Sequence, residues 1–217
     1  MQILITGANG QLGHELVRAT VAAGHEVVAT SHETLDITDK LAVDAAITAA
    51  RPDVVIHAAA WTAVDACESD PDKAMLVNGT ATKYVADAAH AVGAHVVYIS
   101  TDYVFDGSKT SAYDEGDTPN PQSVYGSSKL AGEQELGATD AIVRIAWVCG
   151  FYGGNMVKTI LRLTEQPQLK FVDDQIGNPT FADDAAEMIV RIATEKRSGT
   201  WHVTNQGDVS WYEFARE

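Results

Sequence analysis

The first twenty-odd residues restrict the fold more than any other stretch. Gln2-Ile3-Leu4-Ile5-Thr6 is a short apolar run that reads as a buried parallel strand. Gly7-Ala8-Asn9-Gly10-Gln11-Leu12-Gly13 follows, and a helical pattern then runs on until Gly24 stops it. A glycine-rich turn between strand and helix lets the chain reverse tightly. It also lets a pyrophosphate approach the helix N-terminus, where free amides and the helix dipole favour negative charge. An ordinary βα turn has the same outline, so the motif needs support from the rest of the chain.

That support begins with periodicity. Residues 26–30, 54–57, 95–100 and 141–145 read as further strands, separated by helical patterns at 41–51, 70–92 and about 125–136. Strands alternating with helices predict an α/β fold with a mostly parallel, doubly wound sheet. Beyond residue 146 the reading is a helix over 155–165 with Met156, Ile160 and Leu163 as its buried stripe. A strand over 169–172 follows, then a turn-rich link, a helix over 182–194 and a last strand over 199–203. Ser210 and Glu213 form a capping-box signature. Residues 1–146 are expected to form a dinucleotide-binding domain. Residues 147–217 are expected to supply a small, incomplete substrate lobe and elements that pack back on the sheet. The final helix is barely begun at Glu217, so the chain reads as truncated.

Composition excludes several classes of function. Fifteen Lys and Arg against 30 Asp and Glu leave a formal charge of -15, which argues against nucleic acid and anionic membranes as partners. It does not argue against a nucleotide, because backbone amides hold phosphates without basic side chains. A hydrophobic content of 46% argues against disorder. Cys67 and Cys149 form no CxxC pattern and read as thiols of a reducing compartment. Without a signal peptide or a membrane-length apolar run, the expectation is a cytoplasmic protein.

The chemistry lies at the strand ends. Tyr125 and Lys129 stand four apart, on one face of a helix. A phenol has an ordinary pKa of about 10, and a neighbouring ammonium favours its phenolate. The pair reads as a tuned proton donor for ketone reduction, with the hydride supplied by a cofactor. Thr101, at the end of its strand, is placed to hold a substrate carbonyl beside Tyr125, and Trp147 either stacks a ring or fills the core. Ala58-Ala59-Ala60 leaves room for a cofactor at another strand end, and Thr62, Asp65 and Glu68 follow in a polar loop. The second strand runs into Thr30-Ser31-His32, with neither acid nor Arg, so the choice of nicotinamide cofactor is open and leans to NADPH, with NADH possible. Asp39 reads as the N-cap of the next helix.

The most specific stretches are Gly7 to Gly13, Ala58-Ala59-Ala60-Trp61-Thr62-Ala63-Val64-Asp65, Ser100-Thr101-Asp102-Tyr103-Val104-Phe105-Asp106-Gly107, Tyr125-Gly126-Ser127-Ser128-Lys129-Leu130-Ala131-Gly132-Glu133 and Asp174-Gln175-Ile176-Gly177-Asn178-Pro179-Thr180. Through them the chain resembles the dTDP-4-dehydrorhamnose reductases of the extended short-chain dehydrogenase/reductase group. The resemblance implies an NAD(P)-binding Rossmann fold and reduction of the C4 ketone of a nucleotide-linked 6-deoxy-4-ketohexose. It implies Tyr125 as proton donor, Lys129 lowering its pKa and binding the nicotinamide ribose, and Thr101 on the keto oxygen. It implies Gly7, Asn9, Gly10, Gln11 and Leu12 around the pyrophosphate, Asp36 and Ile37 by the adenine, and Ala58, Ala59, Ala60 and Thr62 along the cofactor. Asp102, Tyr103 and Trp147 would face the sugar. No metal is expected, and the partners reduce to the nucleotide sugar and a second copy at most, as monomer or homodimer. The competing readings are an NADP-binding regulatory scaffold and a related nucleotide-sugar epimerase. Possession of both Tyr125 and Lys129 argues against the scaffold, and an epimerase would retain its NAD through the reaction.

Overall fold

The computed structural model describes residues 1–217. Strand β1 (Gln2–Thr6) leads through the glycine turn into α1 (Gln11–Ala22), followed by β2 (Glu26–Ala29), α2 (Lys40–Ala50) and β3 (Val54–His57). Helices α3 (Val64–Ser69) and α4 (Pro71–Ala74) come next. A π-helical turn, Met75–Thr80, then runs straight into α5 (Ala81–Ala91). β4 (His95–Thr101) ends in one 3-10 turn, Asp102–Val104, and a long loop leads to α6 (Val124–Glu133) and β5 (Ala141–Ile145). The remaining elements are β6 (Val148–Cys149), α7 (Met156–Leu163), β7 (Ile176–Gly177), β8 (Thr180–Phe181), α8 (Ala182–Thr194), β9 (Gly199–His202), β10 (Val209–Ser210) and α9 (Trp211–Arg216).

Six strands make one parallel sheet in the order β2-β1-β3-β4-β5-β9. The pleat sends alternate residues to opposite faces, and both faces are covered. Ile3, Ile5, Val54 and Ile56 meet Leu12 and Leu16 of α1 and Ile189 and Ile192 of α8. Leu4, Val55 and Val96 meet Val43 and Ile47 of α2 and Val85 and Ala88 of α5. This is the doubly wound α/β sheet that the alternation predicts. Because β2 and β3 flank β1 on opposite sides, the winding reverses there. The carboxyl ends of β1 and β3 therefore open a crevice at the switch point.

The differences from expectation lie where burial, not periodicity, decides. Residues 169–172 form no strand; β6 pairs with β8 and β7 with β10 instead. A short apolar run becomes a strand only where a partner edge is available. Met156, Ile160 and Leu163 are half-covered, and α7 has no buried residue, since an amphipathic period reports a face able to be buried rather than one that is. The helix expected over 70–92 is widened in the middle by the π-turn, and part of the expected loop at 62–68 is α3.

Helix α6 lies unusually close to the sheet. A Cβ added at Gly126 would stand 2.2 Å from the Tyr103 carbonyl oxygen. One at Gly132 would stand 2.3 Å from Tyr98 Oη and 2.5 Å from the Asn78 carbonyl oxygen. Alanine is worth about 1 kcal/mol more than glycine inside a helix. Gly132→Ala is nevertheless expected to destabilise the protein by about 1–3 kcal/mol, because overpacking outweighs propensity here. Urea unfolding checks this; a stabilised variant would mean that α6 can lift from β4 without cost.

Candidate active site

The glycine turn sits at the switch point. Gly7 has φ +68, and its carbonyl accepts from the Gly10 amide at 2.9 Å. A Cβ at Gly7 would meet the Ala59 nitrogen at 2.7 Å, and one at Gly13 would meet the Gly7 carbonyl oxygen at 2.1 Å. Both positions therefore demand glycine: one for β3, which passes close by, and one for α1 packing on its own turn. Gly10 is the N-cap of α1 and offers no side-chain oxygen, and the amides of Gln11, Leu12 and Gly13 find no protein acceptor. Three unpaired N–H groups at the positive end of a twelve-residue helix fit a diphosphate. Ala58, Ala59 and Ala60 continue from β3 beside this turn, half-buried, with Thr62 exposed beyond them. Ile37 is buried in the core, whereas the Asp36 carboxylate turns onto Thr38, accepting from its amide at 2.9 Å and its hydroxyl at 2.7 Å. Those hydrogen bonds hold the Asp36 pKa below its ordinary value. Asn9 is exposed at the turn.

Across the crevice, β4 and α6 bring Thr101, Tyr125 and Lys129 together. Ser123 caps α6 through the Gly126 amide at 3.0 Å, and the Glu68 carboxylate accepts from the Val124 amide at 2.8 Å, so the first turn carrying Tyr125 is held twice. Burial pushes the Tyr125 phenol above its ordinary pKa, and a hydrogen bond to Thr101 opposes the shift. Tyr125 is thus a phenol, not a phenolate, at neutral pH. The Thr101 hydroxyl also donates to Asp102 at 3.0 Å. Burial raises the Asp102 carboxyl to about 6; the residue is half-exposed, but its carboxyl lies in the depth of the crevice. Tyr103, 44% exposed, meets Tyr125 edge-on with ring centroids 5.4 Å apart.

Lys129 differs from expectation. It is 2% exposed, its ammonium donates to the Ile99 carbonyl at 2.7 Å, and it lies 4.0 Å from the centroid of the Tyr98 ring. Burial lowers its pKa to about 7, with Glu133 opposing. Lys129 is not among the groups that shift Tyr125. The expected lowering of the phenol pKa by the ammonium is therefore not what this arrangement produces. Desolvation dominates both groups, and the ammonium faces the backbone of β4.

A buried polar chain ties the two halves of the crevice together. Tyr98 donates to the Asn78 carbonyl at 3.1 Å, and Thr82 donates to the same oxygen at 2.7 Å. Thr82 then accepts from His57 Nε2 at 3.3 Å, leaving Nδ1 to accept from Thr6 at 2.7 Å, and Thr6 accepts from the Ala59 amide at 3.2 Å. The Asn78 side chain bridges the Trp61 amide (2.8 Å) and the Ser128 hydroxyl (3.0 Å). None of these links is visible in a linear pattern, and Asn78 and His57 escaped the sequence reading; Glu68, read there as a polar loop residue able to contact cofactor or substrate, instead holds the Val124 amide. The Asn-Gly pair inside an otherwise apolar helix was the one local signal for Asn78.

On the outer side, Trp147 has φ +47 and stacks on Trp211, with ring centroids 3.4 Å apart and planes at 7°. Gly177 presses on it: a Cβ there would lie 2.5 Å from the indole. Trp211 was not anticipated. No group of three or more His, Cys, Asp or Glu side chains is placed to hold a metal ion.

A family model described as the RmlD substrate binding domain matches residues 1–217. The spore coat polysaccharide biosynthesis protein SpsK of Bacillus subtilis is 44% identical over 99% of this chain and 77% of its own length. The dTDP-4-dehydrorhamnose reductase of Aggregatibacter actinomycetemcomitans is 42% identical over 99% of this chain and 76% of its own. Among solved structures, a dTDP-4-dehydrorhamnose reductase from Clostridium acetobutylicum superposes with a TM-score of 0.96 at 46% identity, covering 100% of this chain and 78% of that one. A dTDP-4-dehydrorhamnose reductase from Bacillus anthracis in complex with NADP superposes with a TM-score of 0.95 at 42% identity, covering 99% and 78%.

The buried chain has a consequence for stability. Burial, and then the nearby Lys129 ammonium, lower the His57 pKa from 6.5 to about 3. Below pH 6.5 the unfolded chain takes up a proton that the folded protein refuses. His57 therefore contributes stability that is complete above pH 6.5 and is lost as pH falls from 6.5 towards 3. The loss is expected to reach about 2 kcal/mol by pH 5. Denaturant unfolding between pH 7 and 5 checks this against His57→Asn, whose curve should be flatter; parallel curves would refute it.

Proposed function

The chain belongs to the family described as the RmlD substrate binding domain, and on that footing we infer that it is an NAD(P)H-dependent oxidoreductase that reduces dTDP-4-dehydrorhamnose to dTDP-rhamnose, a step of nucleotide-sugar biosynthesis. NADPH is the cofactor, with NADH possible. One observation carries the chemistry: two buried hydroxyl side chains, Thr101 at the carboxyl end of β4 and Tyr125 on the first turn of α6, stand at the same edge of the sheet as an uncapped helix N-terminus. No helix is long and apolar enough to cross a membrane. Two free cysteines support a reducing, cytoplasmic setting.

The residue roles are those the family likeness implies, and the positions of the glycine turn, Thr101 and Tyr125 support them. The amides of Gln11, Leu12 and Gly13 hold the diphosphate, with Gly7, Asn9 and Gly10 shaping the turn. Asp36 and Ile37 lie towards the adenine, and Ala58, Ala59, Ala60 and Thr62 line the path. The bound dinucleotide supplies the hydride. Thr101 donates a hydrogen bond to the ketone oxygen and orients it. Tyr125, kept protonated by burial, delivers its proton to that oxygen as negative charge develops there. Lys129, one turn behind and held on the Ile99 carbonyl, is the group that the family likeness assigns to the nicotinamide ribose. Asp102, Tyr103 and Trp147 face the sugar.

The test is loss of NADPH absorbance on addition of dTDP-4-dehydrorhamnose. Tyr125→Phe is expected to lower kcat by about 10²–10⁴ with NADPH binding retained, the usual range for a removed general acid. NADPH binding without turnover in the wild-type protein would instead favour the regulatory scaffold.

A further inference from the structure

Lys129 is an ammonium in a dry place, and no carboxylate pairs with it directly. The groups set around it are His57 from β3, Tyr98 from β4 and Glu133 from its own helix, with Tyr125 four residues before it on α6. His57 is neutral and both tyrosines are protonated. Glu133, one turn beyond Lys129, is the one carboxylate acting on it. Glu133 is itself buried and fully engaged. Arg144 of β5 donates Nε to Oε1 at 2.9 Å and Nη2 to Oε2 at 2.7 Å, and Ser100 of β4 donates to Oε1 at 2.5 Å. Arg144 is equally buried, lies over the Phe105 ring at 5.0 Å, and leaves Nη1 without a partner. Its other charged and titratable neighbours are Glu115 and His202.

A buried bidentate ion pair gives little net stability, because desolvation offsets attraction. This one spans β4, β5 and α6 at the end of the helix that carries the site. We propose that Glu133, clamped by Arg144 and Ser100, is a positioning residue for the reaction: it seats α6 against the sheet and supplies the negative charge that keeps Lys129 protonated. The inference rests on the assignment of Lys129 made above. Its sign is specific. Glu133 stands four residues after Lys129 on α6, and Arg144 reaches it from β5, so the carboxylate is the member of the pair that shares the ammonium's helix. Removing Glu133 alone leaves an unopposed guanidinium, removing Arg144 alone leaves an unopposed carboxylate, and removing both leaves neither.

The experiment follows the ε-carbon resonance of Lys129 with pH in cofactor-free protein carrying 13C-lysine, the resonance being identified by its loss in Lys129→Arg. The Lys129 pKa is expected to fall in the order Arg144→Met, wild type, the double variant Glu133→Gln/Arg144→Met, then Glu133→Gln, which should lie at least about one unit below wild type. If Glu133→Gln does not fold, the order of the other three still decides. The alkaline limb of kcat/KM for NADPH oxidation should move in the same order. Equal Lys129 pKa values in all forms, with only kcat reduced, would overturn the proposal and leave Glu133 a packing residue. If the pKa values move but the rate profile does not, the role of Glu133 in the reaction falls, and the fault lies in the assignment of Lys129.

Discussion

The burial of one ammonium organises the site. Lys129 lies between α6 and the sheet, and water cannot solvate it there. Its needs are met by a carbonyl of β4, the face of Tyr98 and the carboxylate one turn away. Each requires α6 to pack tightly, and the glycines at 126 and 132 let it close on the Tyr103 carbonyl after β4, on the Tyr98 side chain and on the Asn78 carbonyl. The same closeness buries Tyr125 and keeps its proton in place. Proton donor, carbonyl-orienting hydroxyl and cation are thus set by one packing distance between a helix and a strand.

The second organising element is the polar chain through His57. It begins at the Ala59 amide beside the diphosphate turn and runs through Thr6, His57, Thr82 and the Asn78 carbonyl to Tyr98. Asn78 adds a branch to Ser128 on α6. Every donor in this path has an acceptor, so the chain avoids the cost of unpaired buried polar groups and acts as a rigid cross-brace. The wall of the crevice that holds the cofactor and the wall that carries the chemistry are in this way parts of one hydrogen-bonded body. The outer side is looser: α7 has no buried residue, and the Trp147–Trp211 stack and two-stranded pairings hold the segments around it. The chain spans about three quarters of the length of its relatives.

Much of this was legible in the linear order of residues. The five strand-helix alternations, the Asp39 and Ser210 caps and the glycine turn are local features, and local sterics and hydrogen bonding write them directly into the chain. Tyr125 and Lys129 were legible because helical spacing is local too. Their mutual effect was not. Desolvation depends on everything packed around a group, and burial reversed the expected direction for Tyr125. The strand at 169–172 and the buried face of α7 failed for a related reason, since propensity and amphipathicity describe what a segment can do against a partner it does not contain.

What the sequence by itself determined is the α/β alternation, the anion-binding turn, and which residues carry proton chemistry. These depend on interactions within about a turn of helix or a strand's width. Tertiary structure alone decided which groups became neighbours across the sheet: Glu68 on the first turn of α6, Arg144 on Glu133, His57 between Thr6 and Thr82, Trp211 on Trp147. Those pairs are 11 to 64 residues apart in the chain. Their energies come from the removal of water, which no local pattern encodes.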